Sequence, residues 1–159
     1  MQQVLSTIDD VLDMVLMQAH PPSILLGEDD DTLREVIAAA LRTDGYDLVE
    51  ARSGVDLIRA IHRLDSAMLP LDLIITDVLM PGFTGIETLE YLRYIGSQVP
   101  VIVMTGSRDP RMCAEARDLD ARVILQKPFA VDDLREAVAR IVPRHDAFAS
   151  RSGASASRG

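Results

Sequence analysis

Five short apolar runs, each followed by a longer stretch of helical spacing, constrain this chain more than any other feature. The runs are SILLG (23–27), YDLVEA (46–51), LDLIIT (71–76), VIVMT (101–105) and VILQ (123–126). Apolar residues recur at helical intervals over 32–42, 54–64, 86–94, 111–119 and 131–141. Strand then helix, five times over, predicts an α/β domain with a five-stranded parallel sheet and helices on both faces, the doubly wound arrangement. The first, third and fourth runs are nearly unbroken, as expected of central strands covered on both sides. The second alternates with polar residues and belongs nearer an edge. Ligands of such sheets sit at the carboxyl ends of the strands, so those ends are where function is sought.

The alternating region occupies residues 23–142. Residues 1–20 set Val4, Leu5, Ile8, Val11, Leu12 and Val15 at helical spacing, with Asp9, Asp10 and Asp13 on other faces, and Pro21-Pro22 follows. This predicts an additional amphipathic N-terminal helix. Pro143 closes the last helical pattern. Residues 149–159 are small and polar with scattered arginines, too poor in apolar area to stay folded, and residues 143–159 are expected to form a flexible tail. The formal charge of −9 argues against nucleic acid as a partner, since phosphate contacts need clustered Lys and Arg. One cysteine, Cys113, excludes an intramolecular disulfide. No run is long enough to span a bilayer and the N-terminus lacks signal-peptide character, which predicts a cytoplasmic protein.

After the first run stand Glu28, Asp29, Asp30 and Asp31; after the third, Asp77; after the fourth, Thr105; after the fifth, Lys127 and Pro128. Lys127 is the only lysine among 16 basic residues. No glycine-rich phosphate loop follows the first strand. Carboxylates from two strand ends suit a hard divalent ion such as magnesium, which retains waters and bridges to phosphate. Asp77 is then both ligand and nucleophile, because a carboxylate can attack phosphorus to form an acyl phosphate. Lys127 supplies a compact cation for the developing charge and Thr105 a hydroxyl donor. Each residue also has a plainer meaning. An acidic cluster before a helix caps it and offsets its dipole; Asp77 suits a turn, Thr105 a satisfied hydroxyl, Lys127 a solvated charge. Their coincidence at the carboxyl ends of the strands is the stronger signal.

Four segments resemble the receiver domain of bacterial two-component response regulators: ILLGEDDDTLRE (24–35), IITDVLMPGFTG (74–85), VIVMTG (101–106) and QKPF (126–129). The resemblance covers residues 23–142 and implies a flavodoxin-like (βα)5 fold. It further implies that Asp77 is the phosphoacceptor, that Glu28, Asp29, Asp77 and the main-chain carbonyl of Leu79 hold Mg2+, and that Asp30 lies outside this set. Thr105 becomes the switch hydroxyl, and Lys127 the phosphoryl-contacting lysine with a cis bond to Pro128. The implied function is phosphoacceptor signalling. Asp77 takes a phosphoryl group from a sensor histidine kinase or phosphotransfer protein, and the domain then regulates a downstream protein by contact. The implied activity is self-phosphoryl transfer rather than enzyme turnover. The same residues leave open a phosphorylation-independent adaptor or dimerisation module. A dehalogenase-like phosphatase is disfavoured, because it needs an aspartate where Leu79 stands.

Three positions depart from the family pattern. Ile124 occupies the place of a switching aromatic and cannot supply a ring edge or hydroxyl. Leu79 replaces a polar side chain that helps position hydrolytic water, which predicts slow autodephosphorylation. Gly27 stands where a larger apolar residue is common and reads as close packing. Nothing after Ile141 has the length of an output domain, so a single-domain regulator is expected. Arg108, Arg111, Arg117 and Arg122 place positive charge near the Thr105 loop, either as a solvated surface or as a patch for an acidic partner. The N-terminal helix has a short apolar seam, Met1, Leu5, Ile8, Leu12 and Val15, that suits either folding back onto the domain or pairing with its copy in a homodimer.

Overall fold

A computed structural model describes residues 20–143. The expected N-terminal helix and the C-terminal tail lie outside the described residues, apart from their inner ends at His20 and Pro143. The chain alternates β1 (Ser23–Gly27), α1 (Asp31–Thr43), β2 (Asp47–Ala51), α2 (Gly54–Ser66), β3 (Leu73–Asp77), α3 (Gly85–Tyr94), β4 (Val101–Thr105), α4 (Pro110–Asp118), β5 (Val123–Gln126) and α5 (Val131–Ile141). The strands form one parallel sheet in the order β2-β1-β3-β4-β5. This is the flavodoxin-like doubly wound arrangement that the sequence led us to expect. The polar, alternating second run is an edge strand, and the three unbroken runs lie inside.

Alternate strand residues feed two separate cores. Ile24, Leu26, Ile75, Ile102 and Met104 pack with Ile37 and Leu41 of α1 and Leu134 and Val138 of α5. Leu25, Ile74, Val101 and Val103 pack on the other face with Leu57 and Ile61 of α2, Leu89 and Leu92 of α3, and Ala116 of α4. Because both faces are covered, apolar residues fill both faces of the inner strands, which is why those runs read as unbroken, and buried polar ones enter only at their carboxyl ends, as Thr76, Asp77 and Thr105.

Local chemistry fixes where the helices begin. Asp30 accepts the Leu33 N–H at 2.8 Å, Ser53 the Asp56 N–H at 3.1 Å, and Asp109 the Arg111 N–H at 2.9 Å. Thr84 and Glu87 form a reciprocal capping box at α3. Each such cap is worth about 1 kcal/mol and aims a loop at the carboxyl edge.

Two boundaries differ from the sequence reading. Tyr46 is not in β2; its N–H returns to the Leu41 carbonyl at 3.1 Å and its hydroxyl donates to the Val142 carbonyl at 2.8 Å. The third strand begins at Leu73 and ends on Asp77 itself. Asp72, instead of extending that strand, donates its N–H to the Ser23 carbonyl at 2.9 Å and accepts the Ser23 N–H on its carboxylate at 2.8 Å.

Candidate functional site

The strand register assembles the site before any side chain is considered. Gly27 is abreast of Thr76, so Glu28 stands level with Asp77. Asp77 pairs with Met104, and Thr105 with Gln126, so Thr105 and Lys127 each project just beyond that level. Residues from four stretches of chain therefore converge on one edge.

The acidic run divides its labour. Glu28 is fully buried, Asp29 is exposed, and carboxylate oxygens of Glu28, Asp29 and Asp77 all lie within 4.8 Å of one another. Asp30 instead caps α1, and Asp31 in the first turn pairs with Arg34. The capping meaning of the cluster holds for Asp30 and Asp31, which cap and brace the helix, while Glu28 and Asp29 gather with Asp77.

Asp77 is nearly buried. Its Oδ1 accepts the Leu79 N–H at 3.0 Å and its Oδ2 lies 2.5 Å from the Lys127 ammonium. That ammonium also donates to Glu28 at 2.8 Å, so a single lysine bridges two carboxylates. Burial pushes the Glu28 carboxyl above its ordinary value, although the Lys127 hydrogen bond opposes the shift. Burial alone would lower Lys127; its hydrogen bonds to Asp77 and Glu28 outweigh that and hold it above its ordinary value. The peptide between Lys127 and Pro128 is cis, as the resemblance implied.

Thr105 is buried, and its Oγ1 accepts the Ser107 N–H at 3.0 Å. With that lone pair used, the hydroxyl hydrogen remains available to donate. The Thr105 carbonyl accepts the Lys127 N–H at 2.7 Å and the Gln126 side-chain amide at 3.1 Å, tying the two loops together. Leu79 sits in the loop after Asp77 with its side chain exposed. Ile124 is half-buried and packs into the core shared with Val103 and Ala116. Arg108, Arg111, Arg117 and Arg122 are all exposed, and Arg111 is paired with Asp109 at 3.2 Å.

The donor set fits a hard divalent cation: three clustered carboxylates, oxygen only, one of them ionising reluctantly because it is buried beside two others. Glu28, Asp29 and Asp77 are the side chains that would hold it.

Three contributors escaped the reading by residue type. Arg34 is almost wholly buried and donates from Nη1 to the Glu28 carbonyl at 2.9 Å, fixing the backbone of the first acidic residue. A Cβ on Gly85 would lie 2.4 Å from the Asp77 carbonyl, and one on Gly54 would lie 1.8 Å from the Phe83 carbonyl. These glycines let α3 and α2 approach the loop that follows Asp77. The helix-initiating pairs Thr84-Gly85 and Ser53-Gly54 were the available signal. Gly27 is close-packed, as its reading supposed: an added Cβ would meet Leu57 at 3.1 Å.

The family profile described as the response regulator receiver domain matches residues 24–139. The chain belongs to that family. Sporulation initiation phosphotransferase F of Bacillus subtilis is 28% identical over 120 residues, 76% of this chain and 93% of that protein. The transcriptional regulatory protein FixJ of Azorhizobium caulinodans is 38% identical over 102 residues, 64% of this chain but 46% of that regulator. The chain thus spans about half the length of that curated relative. Among solved structures, the receiver domain of Francisella response regulator 1452 is 26% identical, with 76% of this chain and 95% of that one covered and a TM-score of 0.68. Among the described residues of this receiver, no helix is long and apolar enough to cross a membrane.

Proposed function

We propose that this receiver is a cytoplasmic phosphoacceptor that takes a phosphoryl group on Asp77 from a histidine kinase or phosphotransfer protein and regulates its partners by protein contact. The observation that carries the reading is the bridge from Lys127 to Asp77 and Glu28, with Asp29 completing the carboxylate cluster. An Asp77 carboxylate oxygen attacks the phosphorus of a phosphohistidine; the P–O bond forms as the P–N bond breaks, and the imidazole leaves with the electron pair. Lys127 moves from carboxylate to phosphoryl oxygen, and the Thr105 hydroxyl donates to another. Glu28, Asp29, Asp77 and the Leu79 carbonyl would hold a magnesium ion, which when bound would supply the charge that lets an anionic donor approach three carboxylates.

The product adds about −1.5 to −2 charge at pH 7 in a nearly buried position. That charge draws on Thr105 and Lys127, whose loops are already joined, so the Thr105–Pro110 loop and α4 are the element it biases. Ile124 offers no ring to couple to this movement. The exposed Leu79 side chain offers no hydrogen bond to an attacking water, and the phosphoform is accordingly long-lived. The extensive coverage of a relative named as a phosphotransferase supports a place in a relay as well as in direct output.

Intact-mass measurement after incubation with acetyl phosphate and magnesium tests the reading. The wild type gains one phosphoryl mass, Asp77→Asn gains none, and the adduct persists after the donor is removed. Absence of an adduct on the wild type leaves the adaptor reading, which the aliphatic Ile124 favours. An unchanged adduct on Asp77→Asn places the acceptor elsewhere.

A further inference from the structure

Among the described residues, the buried charged ones are Glu28, Asp77 and Arg34. Phosphoryl transfer to Asp77 uses the first two and leaves a guanidinium, 2% exposed, without a part in the chemistry. A buried cation is costly unless its acceptors are held in place. Those of Arg34 come from three stretches of chain. Nη1 donates to the Glu28 carbonyl at 2.9 Å, Nη2 pairs with Asp31 in the first turn of α1, and Nε lies 3.3 Å from a Glu50 oxygen on β2. The other Glu50 oxygen accepts from Arg42 at 2.7 Å. Asp31, Arg34, Glu50 and Arg42 thus alternate in sign, two of each, and their charges cancel. What Arg34 supplies to its surroundings is therefore a donor in a fixed direction more than a positive field.

That donor is aimed at the backbone of Glu28, a residue whose polar groups all have partners. Its N–H donates to the Ala51 carbonyl at 3.1 Å, and its carbonyl accepts from Arg34. Its Oε1 accepts the Asp30 N–H at 3.1 Å, and its Oε2 accepts the Lys127 ammonium at 2.8 Å. The last of these is the bond that phosphoryl transfer gives up, because Lys127 then turns to a phosphoryl oxygen. The other three remain. Only one of them comes from a side chain, and that side chain is Arg34.

We propose that Arg34 is a positioning residue for the cation site. Clamped between Asp31 and Glu50, it holds the Glu28 carbonyl, and through that backbone the Glu28 and Asp29 carboxylates, including when Lys127 has left them. This rests on the reading of Glu28, Asp29 and Asp77 as magnesium ligands. A lysine at position 34 keeps the charge but offers one compact ammonium, which cannot serve three acceptors spread across a fork. Glu50 acts at one remove by aiming the fork. Its glutamine variant has a single acceptor oxygen for two guanidiniums.

Calorimetry with magnesium alone, on full chains shown to be folded by circular dichroism, separates positioning from stability. Arg34→Lys binds magnesium roughly tenfold more weakly than the wild type and Glu50→Gln about threefold, whereas Arg42→Ala, at the exposed end of the chain of charges, binds as the wild type does. A purely structural role would lower unfolding stability and leave the affinity of the folded protein unmoved. The metal-free protein gives a second readout. Exchange of the Asp30 amide hydrogen, which is bonded to the Glu28 carboxylate, speeds up about tenfold in Arg34→Lys, while that of the Leu79 amide, bonded to Asp77, is unchanged. Where Arg34→Lys does not fold, Glu50→Gln takes its place in both measurements. Wild-type magnesium affinity in the folded variant overturns the proposal, and so does wild-type exchange at Asp30. A wild type that binds no magnesium refutes the magnesium reading instead, and the positioning of Glu28 by Arg34 then stands or falls on the Asp30 exchange.

Discussion

The two ends of this sheet are built from the same strands and helices yet are opposites in chemistry. At the carboxyl end, Glu28, Asp77 and Thr105 are buried polar groups held by specific hydrogen bonds, and glycines at 54 and 85 admit no side chain. At the amino end, a cavity stands open between two helix termini, with Leu69 and Ile95 half exposed at its rim. One end is over-determined and the other under-filled. The contrast teaches that charge burial demands a rigid frame, because an unpaired buried carboxylate is costly. An apolar surface waits for cover at smaller cost.

The largest effect expected at the carboxyl end is chemical. Asp77→Asn abolishes the phosphoryl adduct while leaving far-UV circular dichroism unchanged; a variant that still gains the phosphoryl mass breaks the contrast. Next come the frame glycines. Gly54→Ala and Gly85→Ala force a methyl group into backbone carbonyls and lower urea-unfolding stability by about 3 kcal/mol. Gly27→Ala, which meets only Leu57 and Met80 methyl groups, costs less than either.

Lys127→Ala leaves Glu28 and Asp77 facing each other without their shared cation. The metal-free variant loses about 2 kcal/mol in urea unfolding, and magnesium restores more stability to it than to the wild type. Lys127→Arg keeps the charge but replaces a slim ammonium with a broad fork. It accepts the phosphoryl group and fails to shift the Thr105 loop, read as amide NMR changes on addition of beryllofluoride.

The raised Glu28 carboxyl gives the pH dependence its sign. Magnesium needs the ionised form, so affinity measured by calorimetry falls as pH drops through that raised value, starting above the 4.5 of an ordinary glutamate. Without metal, the folded state binds the extra proton in the window between 4.5 and the raised value. Stability attributable to Glu28 therefore rises as pH falls through that window, and Glu28→Gln removes the dependence.

The smallest effect belongs to the amino end. Leu69→Ser costs about 1 kcal/mol or less in urea unfolding, because that side chain is already 55% exposed and frames nothing. A loss as large as that of Gly85→Ala would show that the two ends are equally constrained.

Much of this was legible in the residues alone. The five alternations fixed the sheet, and unbroken against alternating runs correctly separated inner strands from the β2 edge. Glu28, Asp29, Asp77, Thr105 and Lys127 were each named from their place at a strand end, and the register brings those ends together. The acidic run was less legible. EDDD presents four similar carboxyls, and nothing local says that Asp30 caps, Asp31 pairs with Arg34, and Glu28 and Asp29 gather with Asp77. Gly54 and Gly85 carried only the signal of a helix start, since the need for a missing Cβ comes from the Phe83 and Asp77 carbonyls of another segment.

The sequence by itself determined the layers, the strand polarity and the kind of chemistry, because periodicity and residue type are local properties. Tertiary structure decided which carboxylates share an ammonium, which glycines are obligatory and where apolar surface is left open. Those depend on distances between residues far apart in the chain, such as the 2.8 Å from Lys127 to Glu28, and only packing sets such distances.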